Sequence, residues 1–131
     1  MKGFQLMELL ITLAIISILT TAVLPTYRAY FTRAHRLEAE LTLSQLAIAM
    51  EKYQLHHHTY TNATLTSLHF SEFISKQSYQ LRIVSAKLST YELRAVPIHE
   101  QSVNDQACGE LILTSDNQKL VSGNSKPDDC W

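Results

Sequence analysis

Glycine is scarce in this chain, at three residues in 131, and proline is no commoner. So few glycines leave no phosphate-cradling loop, and neither a nucleophile elbow nor an HExxH helix is present. The sequence therefore reads as that of a protein that is not an enzyme, and it implies no cofactor. Charge of one sign is also missing. Eleven Lys and Arg against twelve Asp and Glu give a formal net charge of -1, which lacks the footprint of a dedicated nucleic-acid binder. There is no internal repeat, no low-complexity segment and no Gly/Pro-rich linker. A chain of this length holds one small domain with a modest core.

What the chain does have is an uneven spread of apolar residues. No charge occurs in residues 9–27, whose heart reads LLITLAIISILTTAVL. About 20 apolar residues span the hydrocarbon of a bilayer, so one membrane segment is expected here. A cleaved secretory signal fits poorly, because the far end, LPTYRAYF, offers no small-residue cleavage site. Glu8, at the mouth of the run, suits neither a signal peptide nor a plain anchor. An ionisable residue in such a place points to function.

The string Lys2-Gly3-Phe4-Gln5-Leu6-Met7-Glu8-Leu9-Leu10-Ile11 resembles the class III signal of type IV pilins and pseudopilins. The resemblance implies that residues 1–3 are a leader and that a prepilin peptidase cuts between Gly3 and Phe4. It also implies that the new amine of Phe4 is methylated and that Glu8 sets the register of assembly. Residues 4–27 become the membrane and filament-core helix, and residues 28–131 a periplasmic globular domain. Gln5 stands where the family more often has Thr. Flanking charges conflict with this topology: only Lys2 precedes the run, while Arg28, Arg33 and Arg36 follow it, and the positive-inside rule alone would put the domain in the cytoplasm. The resemblance and the cysteine pair, which suits an oxidising compartment, favour the outward side.

Pro25 removes a helical hydrogen bond and crowds the preceding turn, so a kink is expected there; it matches a proline common at this place in the family. Helical patterning resumes at once. Residues 29–55 contain no Gly or Pro and are rich in helix formers. Leu37, Leu41, Ile48 and Leu55 fall on one stripe, and Ala39, Leu43, Leu46, Met50 and Tyr53 on another, roughly opposite. One stripe suits the domain's own sheet and the other something outside the chain. Which is which stays open.

Residues 54–78 read as a connection carrying His56, His57, His58 and Asn62. Three neighbouring imidazoles, with His35, His69 or His99, raise the question of a metal. Consecutive side chains diverge, however, and no Cys or carboxylate stands at ligand spacing. A solvated loop after a helix C-terminus explains them. Period-two alternation marks strands at 79–83 and 91–95, with shorter ones at 111–113 and 119–121 around a turn at 115–118. The expected fold is α+β: a long N-terminal helix against a four-stranded antiparallel sheet.

Cys108 and Cys130 are the only cysteines. The pattern from Cys108-Gly109-Glu110 through a hairpin to Cys130-Trp131 resembles the C-terminal disulfide loop of PilE-type pilins, which implies that the two are bridged. Such a bridge closes a loop of roughly 20 residues and contributes about 3 kcal/mol.

The resemblance implies a minor subunit of a type IV pilus, serving assembly and hence twitching motility, adhesion or DNA uptake. Its implied partners are other pilin subunits, the prepilin peptidase and the inner-membrane assembly machinery, with the extracellular pilus as destination. A type II secretion pseudopilin is the first alternative; the major type typically lacks this disulfide loop and carries a calcium site. A DNA-receptor pilin is the second. Lys76, Arg82, Lys87, Arg94, Lys119 and Lys126 are interleaved with acids, which lends direct DNA binding little support.

Overall fold

The computed structural model describes Gly3 and residues 5–131, with elements in the order α1 (Leu6–His57), β1 (Phe73–Ile74), β2 (Tyr79–Ala86), β3 (Tyr91–Pro97), α2 (His99–Asn104), β4 (Leu111–Thr114), β5 (Lys119–Val121) and α3 (Pro127–Cys130). Two compact units divide at Phe31/Thr32, and α1 contributes to both.

In the first unit, α1 exposes its apolar side chains along residues 6–27 and passes through Pro25 as helix. This helix alone among the described residues is long and apolar enough to cross a membrane. Its Ser and Thr hydroxyls bond back to the helix. Thr12 donates to the Leu9 carbonyl, Ser17 to Ala14, Thr20 to Ile16, Thr21 to Ile18 and Thr26 to Ala22. Back-bonding of this kind gives these five hydroxyls partners that hydrocarbon could not supply.

The second unit is an antiparallel sheet in the order β1-β2-β3-β4-β5, packed on the α1 residues of that unit. Alternation does the work: Tyr79 and Leu81 of β2, Tyr91, Leu93 and Ala95 of β3, and Leu111 and Leu113 of β4 point inward. They meet Ala39, Leu43, Leu46 and Met50 of α1, all fully buried. The sheet has five strands, one more than the sequence suggests. The additional strand, β1, is two residues long and pairs Phe73 with Gln80 and Ile74 with Tyr79. It is too short to show a period, and the turn behind it holds Ser75, Lys76 and Gln77 at φ 54°, 53° and 63° without a glycine. Left-handed backbone at three such residues is strained, so no local signal announces the hairpin. The short helices α2 and α3 also lie outside what periodicity can show.

Candidate functional site

At the N-terminus, Gly3 is exposed, and a Cβ added to it would meet nothing within 4 Å. The folded chain itself places no steric demand for glycine there. Phe4, at the other side of the expected cleavage point, lies outside the described residues. Glu8 sits exposed in the first turn of α1, where a carboxylate also complements the partial positive charge of a helix start.

In the globular unit the two stripes of α1 have separate fates. Ala39, Leu43, Leu46 and Met50 are the sheet-facing stripe, with Tyr53 half-buried. Leu37, Leu41, Ile48 and Leu55 are 54–72% exposed. Four large aliphatic side chains on one helix face, uncovered by their own domain, form the kind of stripe that another helix covers.

Cys108 and Cys130 are bridged, with Cα atoms 5.7 Å apart, and both are buried. The tail inside the loop runs back along its start: Ser122 N–H donates to the Glu110 carbonyl, Gly123 N–H to Cys108 and Ser125 N–H to Ala107, at 2.9–3.1 Å. A Cβ on Gly123 would stand 2.1 Å from the Ala107 carbonyl oxygen, so the close approach of the two segments requires glycine. Trp131 closes the end, its indole N–H donating to the Leu120 carbonyl at 3.1 Å while the Lys119 ammonium lies 5.1 Å from the ring centroid.

Beneath the loop is a buried polar cluster for which the sequence gives no sign. Arg36 grips Asp105 with Nε and Nη2, each at 2.9 Å. The Tyr79 hydroxyl donates to Asp105 Oδ2 at 3.0 Å, and Gln101 Nε2 reaches that oxygen, the Tyr79 hydroxyl and the Thr32 carbonyl. Asp105 in turn accepts the Gly109 N–H at its own carbonyl, 2.8 Å away. Helix, sheet and loop base thus share one carboxylate. A second tie joins Glu51 of α1 to the hydroxyls of Tyr60 and Tyr91 at 3.0–3.2 Å. Burial foremost pushes the Tyr79 and Tyr91 hydroxyls well above the usual tyrosine range; the Asp105 carboxylate adds to the rise at Tyr79 and Glu51 to that at Tyr91, while the hydrogen bond from Gln101 offsets part of it at Tyr79.

Two arginines of the sheet face each other across β2 and β3 and are held differently. Arg94 lies between Glu92 and Glu110, at 2.7 and 2.9 Å. Arg82, its cross-strand partner, donates instead to the neutral Gln80 amide oxygen, whose nitrogen is held by Glu72. His57 stacks on Tyr53 at 4.2 Å, and His56 and His58 stand exposed beside it, a solvated end to α1. Among the described residues no three His, Cys, Asp or Glu side chains converge as metal ligands would.

Residues 25–112 match the family described as type IV minor pilin ComP, DNA uptake sequence receptor. The chain is 43% identical over 56 residues to the type IV major pilin protein PilE1 of Neisseria gonorrhoeae, which covers 43% of this chain and 34% of that protein. It spans about a third of the length of such relatives. Over 92 residues it is 35% identical to the type IV wide pilus major component PilA4 of Thermus thermophilus, covering 69% of each. Its fold is similar to that of the Neisseria meningitidis non-core minor pilin PilV, with a TM-score of 0.58 at 18% identity over 74% of this chain and 92% of the other. A type IV pilin from Shewanella oneidensis gives 0.52 at 25% identity, over 76% and 97%.

Proposed function

The chain belongs to the type IV pilins, within the ComP minor pilin family, and from that premise we propose that it is a minor structural subunit of a type IV pilus. The observation that carries this reading is the exposed apolar surface of α1, in residues 6–27 and again at Leu37, Leu41, Ile48 and Leu55. In the membrane the first of these surfaces faces lipid; in a filament both face the helices of neighbouring subunits. Burial of such side chains stabilises by roughly 1.5–3 kcal/mol each, ample for stacking many subunits.

Processing follows the resemblance. A prepilin peptidase cuts after Gly3, which the fold does not need as glycine, and the freed amine of Phe4 is methylated. The globular domain faces the periplasm before assembly by inner-membrane machinery and the exterior afterwards, a side on which the Cys108–Cys130 bridge persists. Glu8 pairs with the Phe4 amine of a neighbouring subunit. An α-amine titrates near pH 8, so it is largely protonated at neutral pH, and a buried carboxylate needs such a partner.

The test is to express a tagged copy in piliated cells, shear the filaments and analyse them by mass spectrometry. A mature N-terminus at methylated Phe4, with the chain present in the filaments, is expected. A processed chain confined to the membrane, with none in the filaments, overturns the reading.

The family match favours a second reading, reception of DNA during uptake. Arg94 is held by two glutamates, so it offers little charge to a phosphate. A binding titration over a salt series measures this directly: few phosphate contacts give a shallow slope, close to one unit per contact.

A further inference from the structure

The two edges of the sheet are finished differently. At β5 the Trp131 indole covers the edge by taking the Leu120 carbonyl. At β2 the short β1 pairs only Tyr79 and Gln80, and the last bond on that side runs from Leu81 N–H to the Glu72 carbonyl at 2.7 Å. The next cross-link is Tyr60 N–H to the Lys87 carbonyl at 3.2 Å. Between them the chain 61–71 bows away from the strand. Because the main-chain groups of alternate residues face the same side, those of Ile83 and the carbonyl of Leu81 point into the gap, and among the described residues they have no partner there. An uncovered row of this kind is a template for another strand.

The gap is a groove of about 590 Å³, walled by Ala63, Leu65 and Phe70 and floored by Leu81 and Ile83. It lines the strand from Leu81 to Val84, and the edge goes on past a register shift between Ile83 and Ser85 to Lys87, about 20 Å in all, room for roughly five extended residues. Its outer wall is held in place without a ligand. Phe70 N–H donates to Leu65, Leu68 to Thr64 and His69 to Thr66, Ser67 and Thr64 exchange bonds, and Tyr60 is anchored on Glu51. A groove already formed spares an incoming segment the cost of ordering it. At the rim stands Arg82, beside Arg94 in register. Arg94 has two carboxylates, whereas Arg82, among the described residues, has only an amide oxygen.

We infer that the β2 edge between Leu81 and Lys87 is a strand-addition site for an extended segment of another protein, apolar at alternate positions and carrying a carboxylate that meets Arg82. Main-chain bonds to Leu81 and Ile83 supply the pairing, the Leu65 and Phe70 wall takes the inward side chains, and Arg82 selects the charge.

The probe is the peptide acetyl-Thr-Val-Glu-Val-Thr-amide, titrated into the full-length ¹⁵N-labelled chain in detergent micelles. A saturable shift of the Ile83 amide, with shifts across 64–70, is expected. Lys in place of the peptide's Glu weakens binding about three- to fivefold, the scale of an exposed ion pair, and Arg82→Gln abolishes that difference. Lack of any saturable Ile83 shift overturns the proposal. So does equal binding of acetyl-Thr-Pro-Glu-Pro-Thr-amide, whose prolines cannot donate. Concentration-dependent Ile83 shifts without peptide would assign the edge to a second copy and also overturn it.

Discussion

Arg36 and Asp105, 69 residues apart in sequence, hold each other through two bonds of 2.9 Å at a site where Asp105 is only 3% exposed. This pair ties α1 to the chain that leads into the disulfide loop. A buried pair is costly to break by halves, because the surviving charge stays desolvated. Asp105→Ala is expected to lower stability by about 3–5 kcal/mol, read by thermal or denaturant unfolding of the full chain in detergent. A loss below about 1 kcal/mol would mean that the pair behaves as a surface contact.

Much of this architecture is legible in the sequence, and the parts that are not share a cause. The uncharged run, the two stripes of α1 and the alternation of 79–83 and 91–95 are local periodic signals, and each appears where its period places it. Asp105 shows nothing, since its partners Arg36 and Tyr79 come from distant segments. β1 is invisible because its turn uses Ser75, Lys76 and Gln77 in left-handed backbone where glycine is expected. The choice between the stripes was beyond periodicity alone. It depends on which one the sheet covers.

The Cys108–Cys130 bridge spans 22 positions and pins α3 and Trp131 over the end of β5. Cys130→Ser is expected to destabilise the chain by roughly 3 kcal/mol and to open the tail to protease. Limited proteolysis before and after reduction checks this, and thiol labelling of the untreated protein is expected to find neither cysteine reactive. Reactivity at both would remove the claim.

Leu46 and Ile48 stand two residues apart on α1 with opposite surroundings: one is fully buried and the other 70% exposed. Leu46→Ala is expected to cost about 2–5 kcal/mol of stability through lost burial and the cavity left behind. Ile48→Ala should change stability by no more than about 0.5 kcal/mol, yet reduce the chain's share in sheared pili. Undiminished incorporation of Ile48→Ala, and of Ile48→Asp beside it, would show that the exposed stripe is not an assembly face.

Tyr79 and Tyr91 keep their protons in the folded state well past the ordinary tyrosine value of 10.0. In the unfolded chain the same hydroxyls ionise near that value. The folded state thus binds more protons above pH 10, so stability is unaffected by these groups below it and falls as pH climbs beyond it. Urea unfolding at pH 8 and pH 11, followed with tyrosinate absorbance, checks this. Tyr91→Phe, which removes one titrating hydroxyl, is expected to flatten the alkaline loss. An unchanged slope would assign that loss to other groups.

Glu8 admits two physical roles. As an acid in the first turn of α1 it complements the helix start, worth about 0.3–1 kcal/mol. As the partner of a neighbour's Phe4 amine it fixes how far an incoming subunit travels along the filament before apolar packing takes over. The roles separate by experiment, because the first acts within one chain and the second only between chains. Glu8→Ala is expected to leave cleavage after Gly3 and membrane insertion intact, and to lower the chain's share in sheared pili sharply against its membrane pool. Glu8→Gln keeps the size and polarity of the side chain but removes the charge. A charge pairing requires it to fail as Glu8→Ala does, whereas a merely polar contact lets it assemble. Sequencing the mature N-terminus of each variant and quantifying it in both fractions decides the matter. Wild-type incorporation of a correctly processed Glu8→Ala chain would sink the register mechanism and leave the helix-start role alone.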